Sequence, residues 1–213
     1  MKLYGYWRSS ATYRVRIALE LKGLDYEYEP VNLLKGEQLA PTHLKRNPQG
    51  LVPAFETEEG AIITQSLAII EYLEERYPEI PLLPHTSEGR ARARAIAAVI
   101  ACEAQPFMNL RIQSYLKEEC EFDADAVKGW LDRWTGGAMA SVEKLIAETK
   151  SDYCVGDRPG MADAFLVPQV FGAQRFGIDL ARTPRIIEIF DRCNALEPFV
   201  RAHPKNQPDA VNV

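Results

Sequence analysis

The chain has 213 residues, of which 46% are hydrophobic and 26% charged, enough to bury one large core or two modest ones. Its formal charge of −5 argues against a general nucleic-acid binder, which draws on a basic surface. The longest unbroken apolar stretch, residues 95–102, is far short of a bilayer span, and Arg8, Arg14 and Arg16 interrupt any signal-peptide core, so a cytoplasmic protein with no membrane partner is expected.

Residues 2–6 alternate toward apolar and aromatic side chains, as a short strand does. Ser9 and Ser10 precede residues 12–22, a helical stretch rich in Val15, Ile17, Leu19 and Leu21 that Gly23 closes in the manner of a left-handed cap. Residues 26–31 read as a second strand. Residues 37–45 can form a short helix before Asn47-Pro48-Gln49-Gly50, a run of turn formers. Two short strands, 52–55 and 61–64, flank the turn Glu58-Glu59-Gly60. Residues 66–77 form an amphipathic helix: Ile69, Ile70, Leu73 and Tyr77 share one face, while Glu71, Glu74 and Glu75 are expected to face water.

Pro78, Pro81 and Pro84 suit an extended linker. Beyond it every strong pattern is helical, over 88–118, 124–148, 161–176 and 184–196, with Gly136-Gly137 a weak point in the second. The expected architecture is an α/β domain over residues 1–80 followed by an all-helical domain over 88–213.

Cys102, Cys120, Cys154 and Cys193 form no C-x-x-C pair, and His43, His85 and His203 complete no zinc-ligand spacing with them. Reduced thiols and no metal site are expected. Dithiol redox chemistry of the thioredoxin type is excluded, because Ser9-Ser10-Ala11-Thr12 stands where the cysteine pair would be.

Several positions admit both a structural and a chemical reading. Ser9 and Ser10 lie at a strand-to-helix junction, where one hydroxyl can simply cap the helix. Hydroxyls and free amides there can also stabilise a thiolate, since a helix N-terminus lowers a thiol pKa of about 8.5 by one or more units. Capping alone accounts for Ser66, yet the amides, hydroxyl and side-chain amide at Gln65-Ser66 also make a carboxylate site. Val52-Pro53 can carry an ordinary edge-strand proline. Asp163 is assigned to folding, because it stands three residues after Gly160 and can reach back to that amide. Arg14 and Arg16 are read as structural, and Arg90, Arg92 and Arg94 as a solvated helix face.

Arg8-Ser9-Ser10-Ala11-Thr12-Tyr13-Arg14-Val15-Arg16-Ile17-Ala18-Leu19 closely resembles the opening of zeta-class glutathione transferases. The resemblance continues through Asn47-Pro48-Gln49-Gly50-Leu51-Val52-Pro53 and Gln65-Ser66-Leu67-Ala68-Ile69-Ile70-Glu71-Tyr72-Leu73-Glu74. It returns in Gln105-Pro106 with Asn109-Leu110, Val155-Gly156-Asp157 with Met161-Ala162-Asp163, and Val167-Pro168-Gln169-Val170. At the chain end His203-Pro204 with Gln207-Pro208-Asp209 is similar too, so the likeness covers nearly the whole chain in order.

This resemblance implies the glutathione transferase fold, an N-terminal thioredoxin-like α/β domain plus an all-α C-terminal domain, with glutathione as cofactor and usually a homodimer. It implies Ser9 as the thiol-activating catalytic hydroxyl, with Ser10 in support and Ala11 beside them. Val52 would offer its backbone to glutathione by strand addition, ahead of a cis Pro53. Gln65 and Ser66 would hold the γ-glutamyl end, with Gln38, Gln105 and Asn109 as further contacts. Arg8, Arg111 and Arg175 would meet substrate carboxylates, a task suited to the planar guanidinium fork.

Within the class, the chain is most similar to the enzymes that isomerise maleylacetoacetate to fumarylacetoacetate in tyrosine and phenylalanine breakdown. A thiolate adds to the cis double bond, the resulting single bond rotates, and expulsion of the thiolate leaves the trans isomer. Maleylpyruvate would satisfy the same chemistry, and a general transferase or peroxidase is the rival on the same fold. A non-catalytic adaptor is disfavoured by the intact glutathione-contact residues. Ala11 stands where many zeta-class enzymes carry cysteine; it can neither ionise nor form a mixed disulfide, but isomerisation needs only the sulfur of glutathione.

Overall fold

Strand β1 (Lys2–Gly5) is flanked by a parallel neighbour, β2 (Glu27–Pro30), and an antiparallel one, β3 (Ala54–Glu56), which pairs in turn with β4 (Ile62–Thr64). The computed structural model describes residues 1–211, and in it these strands form one mixed sheet of order β2-β1-β3-β4. The parallel β1–β2 pair needs a crossover, which α1 (Ser10–Lys22) supplies. Gly23 ends α1 at φ 65°, where its amide reaches back to Glu20 and Leu19. Leu3 and Phe55 of the sheet, Val15, Ile17 and Leu19 of α1, and Ile69, Ile70 and Leu73 of α3 (Ser66–Arg76) are fully buried. This is the thioredoxin-like layer the resemblance implies.

The described residues separate into two units, 1–82 with 194–211, and 83–193. The boundary therefore differs from the expected 88–213 helical domain: the chain end belongs with the α/β unit. A helix with no counterpart in the sequence reading, α10 (Glu197–Ala202), supplies buried Phe199 and Ala202 there. The reason is a buried guanidinium, since Arg16 donates from Nε to the Ala202 carbonyl at 2.9 Å. Asn212 and Val213, at the end of the expected second domain, lie outside the described residues.

The helix expected over 37–45 is instead two 3-10 turns, Leu33–Lys35 and Glu37–Leu39, and the four-residue α2 (Pro41–Leu44). Pro41 holds Ala40 extended (φ −65°, ψ 145°) and has no N–H to give, so a continuous helix cannot pass it. Residues 88–118 are interrupted as well, in a different way: Gln105 keeps helical dihedrals (φ −62°, ψ −40°) ahead of Pro106, and the chain turns extended at Asn109 (φ −65°, ψ 143°). The stretch divides into α4 (Ser87–Ala98), a π-turn Val99–Ala104, a 3-10 turn Pro106–Met108 and α5 (Leu110–Glu118). Gly136 and Gly137 keep helical dihedrals, so α6 (Ala124–Leu131), a π-turn Asp132–Gly136 and α7 (Gly137–Ala147) run on without a break. The helical unit closes with α8 (Met161–Arg175), buried along nearly its whole length, and α9 (Pro184–Asn194).

Glu74 corrects another expectation. It does not face water: it is buried and forms a 3.1 Å ion pair with Lys22. Lys22 also donates to the carbonyls of Tyr77 and Ile80, and Glu74 accepts from the Leu82 amide, so the pair pins the start of the proline-rich linker. No helix among the described residues is long and apolar enough to cross a membrane.

Candidate functional site

Register brings three chain segments to one end of the sheet. Tyr4 near the end of β1 pairs with Ala54 at the start of β3, and Ala54 pairs with Thr64 at the end of β4. The turn after β1, the dipeptide before β3 and the residue after β4 therefore emerge together. These are the turn leading to Ser9, Val52-Pro53, and Gln65-Ser66.

The first turn starts at Gly5, where a Cβ would meet Thr12 Cγ2 at 2.2 Å, so only glycine lets β1 pass this close to α1. The Ser9 amide donates to the Tyr6 carbonyl at 2.9 Å. Ser9 is the N-cap of α1, its Oγ accepting from the Thr12 amide at 3.2 Å. Because the oxygen accepts in that bond, the Ser9 O–H remains able to donate. Ser10 and Ala11 open the helix, where backbone amides have no intrahelical partner and carry the positive end of the helix dipole. The capping and the anion-stabilising readings of Ser9 are thus compatible.

Val52-Pro53 is a cis peptide, as the resemblance implies. Just before it, the Leu51 carbonyl accepts from Asn47 Nδ2 at 2.8 Å and lies 2.8 Å from His43 Nε2. Gln65 is held at φ 70°, a region disfavoured for a residue with a side chain. Its Nε2 donates to Gln49 Oε1 at 2.6 Å. Ser66 is buried at the start of α3, and its Oγ accepts from Arg14 Nη1 at 3.3 Å, which ties the starts of α1 and α3 together. Gln38 lies in a 3-10 turn with its Oε1 buried and, among the described residues, without a hydrogen-bond partner. Arg8 lies over the Trp7 ring, 4.7 Å from its centroid, and its Nε is likewise buried and unpartnered among the described residues.

The remaining candidates lie in the helical unit. Asn109 caps α5, its Oδ1 accepting from the Arg111 amide at 3.1 Å, while the Arg111 side chain is exposed. Gln105 is half-buried between the π-turn and Pro106. Side chains from three helical segments fasten this stretch. Thr135 donates to the Ala104 carbonyl, Trp130 to that of Phe107 and Gln113 to that of Met108. Arg175 is exposed at the end of α8, over the Phe176 ring.

Sequence reasoning left three supporting residues without a role: His43, Asn47 and Gln49. The turn formers at 47–50 were the visible signal; that Asn47 and His43 both serve Leu51 is a tertiary fact. Asp163 does what its spacing suggests, accepting from the Gly160 amide and also from the Cys154 amide, each at 2.9 Å. Burial raises its pKa, against the pull of those amides. All four cysteines are free thiols; Cys102 and Cys120 are exposed, and burial pushes the Cys154 and Cys193 thiols upward. Among the described residues no group of three His, Cys, Asp or Glu side chains could hold a metal ion.

Residues 1–75 match the family model for the glutathione S-transferase N-terminal domain. A maleylacetoacetate isomerase of Pseudomonas aeruginosa is 48% identical over 211 residues, covering 98% of each chain. The solved holo structure of a bacterial zeta-class maleylpyruvate isomerase is 43% identical with a TM-score of 0.95, covering 99% of this chain and all of that one. A maleylacetoacetate isomerase from Methylobacterium extorquens, solved with malonate and glutathione bound, is 39% identical with a TM-score of 0.94 and full coverage of both chains.

Proposed function

This chain belongs to the zeta class of the glutathione S-transferase family, and from that membership we propose that it is a glutathione-dependent cis–trans isomerase converting maleylacetoacetate to fumarylacetoacetate. The observation that carries the reading is the end-to-end likeness to isomerases of this type, joined to a free-donor hydroxyl, Ser9, at the mouth of α1.

The residues present suit glutathione, an extended and anionic tripeptide. Gln38 Oε1 is a buried acceptor without a protein partner among the described residues. The amides opening α1 and α3 favour an anion placed beside them. When bound, glutathione supplies the thiolate that adds reversibly to the cis double bond. Ser9 would donate its O–H to the sulfur, and the Ser10 and Ala11 end of α1 would favour the ionised form. Val52 would pair with the peptide backbone, and Gln65 with Ser66 would hold the γ-glutamyl carboxylate. Gln105 and Asn109 are assigned as further glutathione contacts. Arg8, Arg111 and Arg175 would bind the substrate carboxylates and draw charge away from the reacting carbons.

Maleylpyruvate is the second reading, favoured by the TM-score of 0.95 to an isomerase of that compound. The test is a spectroscopic assay of cis–trans conversion on both compounds, with and without glutathione. Glutathione-dependent turnover that is faster on maleylacetoacetate supports the first reading. A preference for maleylpyruvate supports the second, and consumption of glutathione without isomerisation would sink both. The resemblance also supports a cytoplasmic homodimer, which fractionation and sedimentation would check.

A further inference from the structure

Trp7 stands two residues before Ser9, and side chains from elsewhere in the same unit hold both of its backbone polar groups. Its amide donates to Asp209 Oδ2 at 3.0 Å, across 202 positions of sequence, and its carbonyl accepts from Arg16 Nη2 at 2.9 Å. We propose that Asp209 is a positioning residue for the Ser9 turn, so that the end of the chain belongs to the catalytic machinery. This rests on the isomerase reading above.

The backbone of the turn is otherwise tied by backbone groups and one neutral hydroxyl. The Gly5 carbonyl accepts from Val31, the Tyr6 amide donates to Thr12 Oγ1, and the Tyr6 carbonyl accepts from Ser9. The Trp7 peptide is held instead by two charged side chains, Arg16 from α1 and Asp209 from the far end of the chain. Arg16 is fully buried, and its remaining donor set includes an Nη1 without a partner among the described residues. Asp209 also accepts from the Tyr28 hydroxyl at 3.4 Å, while its Oδ1 is buried and unpartnered among the described residues.

Burying a carboxylate with one oxygen unsatisfied is a poor way to gain stability. What the hydrogen bond supplies is a fixed acceptor oxygen 3.0 Å from the Trp7 amide. Placed on the peptide ahead of Ser9, it fixes the direction from which Arg8 and Ser9 leave the strand. A displacement of about 1 Å at a reacting group costs on the order of a hundredfold in rate.

The test compares Asp209→Ala, Asp209→Asn and Arg201→Ala in the full chain. Arg201 forms an exposed ion pair with Glu20 and serves as a control in the same segment. Measured are kcat, KM for glutathione, thermal midpoint, and the ultraviolet absorbance of glutathione thiolate in the complex at neutral pH. Asp209→Ala is expected to lower kcat about tenfold or more and to diminish the thiolate absorbance. Asp209→Asn, whose amide oxygen still accepts from Trp7, should recover most of both signals, and Arg201→Ala should move neither. If Asp209→Ala does not fold, Asp209→Gln, which displaces the acceptor, takes its place. The positioning role is overturned if only the thermal midpoint falls, or if Asp209→Asn is as impaired as Asp209→Ala. No turnover by the unaltered chain would instead remove the isomerase reading and this role with it.

Discussion

The hydroxyl oxygen of Ser9 accepts a 3.2 Å hydrogen bond from the Thr12 amide, so one side chain both ends the turn after β1 and begins α1. Structural and catalytic losses on mutation can be separated because they use different parts of that hydroxyl. Ser9→Ala removes both and should cost about 1 kcal/mol of stability and about a hundredfold or more in turnover. Ser9→Asp keeps a good cap but sets a negative charge beside the sulfur; stability should hold while turnover is lost. Denaturant unfolding and the isomerisation assay read the two quantities, and unchanged turnover in Ser9→Ala would take Ser9 out of the mechanism.

Arg175 ends α8 with its side chain exposed. Arg175→Ala is expected to raise the KM for the dicarboxylate about tenfold or more while leaving glutathione binding nearly unchanged. Steady-state kinetics with each substrate varied in turn makes the distinction. A fall in glutathione affinity in place of the KM effect would mean that Arg175 serves glutathione.

Lys22 and Glu74 form an ion pair with side-chain exposures of only 1% and 5%. Removing one partner strands the other charge, so Glu74→Ala should destabilise by about 3–5 kcal/mol. The paired replacement Lys22→Met with Glu74→Leu should lose less than Glu74→Ala, since no lone charge is left behind. Urea unfolding of the two variants beside the unaltered chain tests this, and a double variant worse than the single one would contradict it.

His203 couples the chain end to pH. Its Nδ1 accepts from the Lys205 amide at 3.2 Å, and burial, followed by the charges of Lys205 and Arg16, lowers its pKa below 6.5. The unfolded chain therefore takes up a proton before the folded one does. Stability from this group is present above pH 6.5 and is lost as pH falls toward the lower folded value. Thermal midpoints measured across that window should decline with acidity, and His203→Gln should flatten the decline. An unchanged slope in that variant would assign the effect to other groups.

Local signals carried the sequence reading a long way. Helix starts at Ser9 and Gln65-Ser66, the stop at Gly23 and the reach of Asp163 to Gly160 depend on groups a few residues apart, and a short window contains them. The strand–helix–strand beginning and the helical remainder follow from periodicity in the same way. Where a continuous helix was expected and not found, the local causes differ: Pro41 withholds an N–H and holds Ala40 extended, whereas past Pro106 the chain leaves the helix at Asn109, which then caps α5.

What the residues alone determined, then, is where each element begins and which chemistry its ends can offer. Only the tertiary structure decided which charges are inside and what they hold. Glu74 looks solvated by helical periodicity, yet it is buried because Lys22 meets it from 52 positions away. Arg16 and Asp209 converge on Trp7, one from the next helix and one from the far end of the chain. A buried charge is tolerated only where polar partners meet it, and no sequence window reaches from Lys22 to Glu74 or from Trp7 to Asp209.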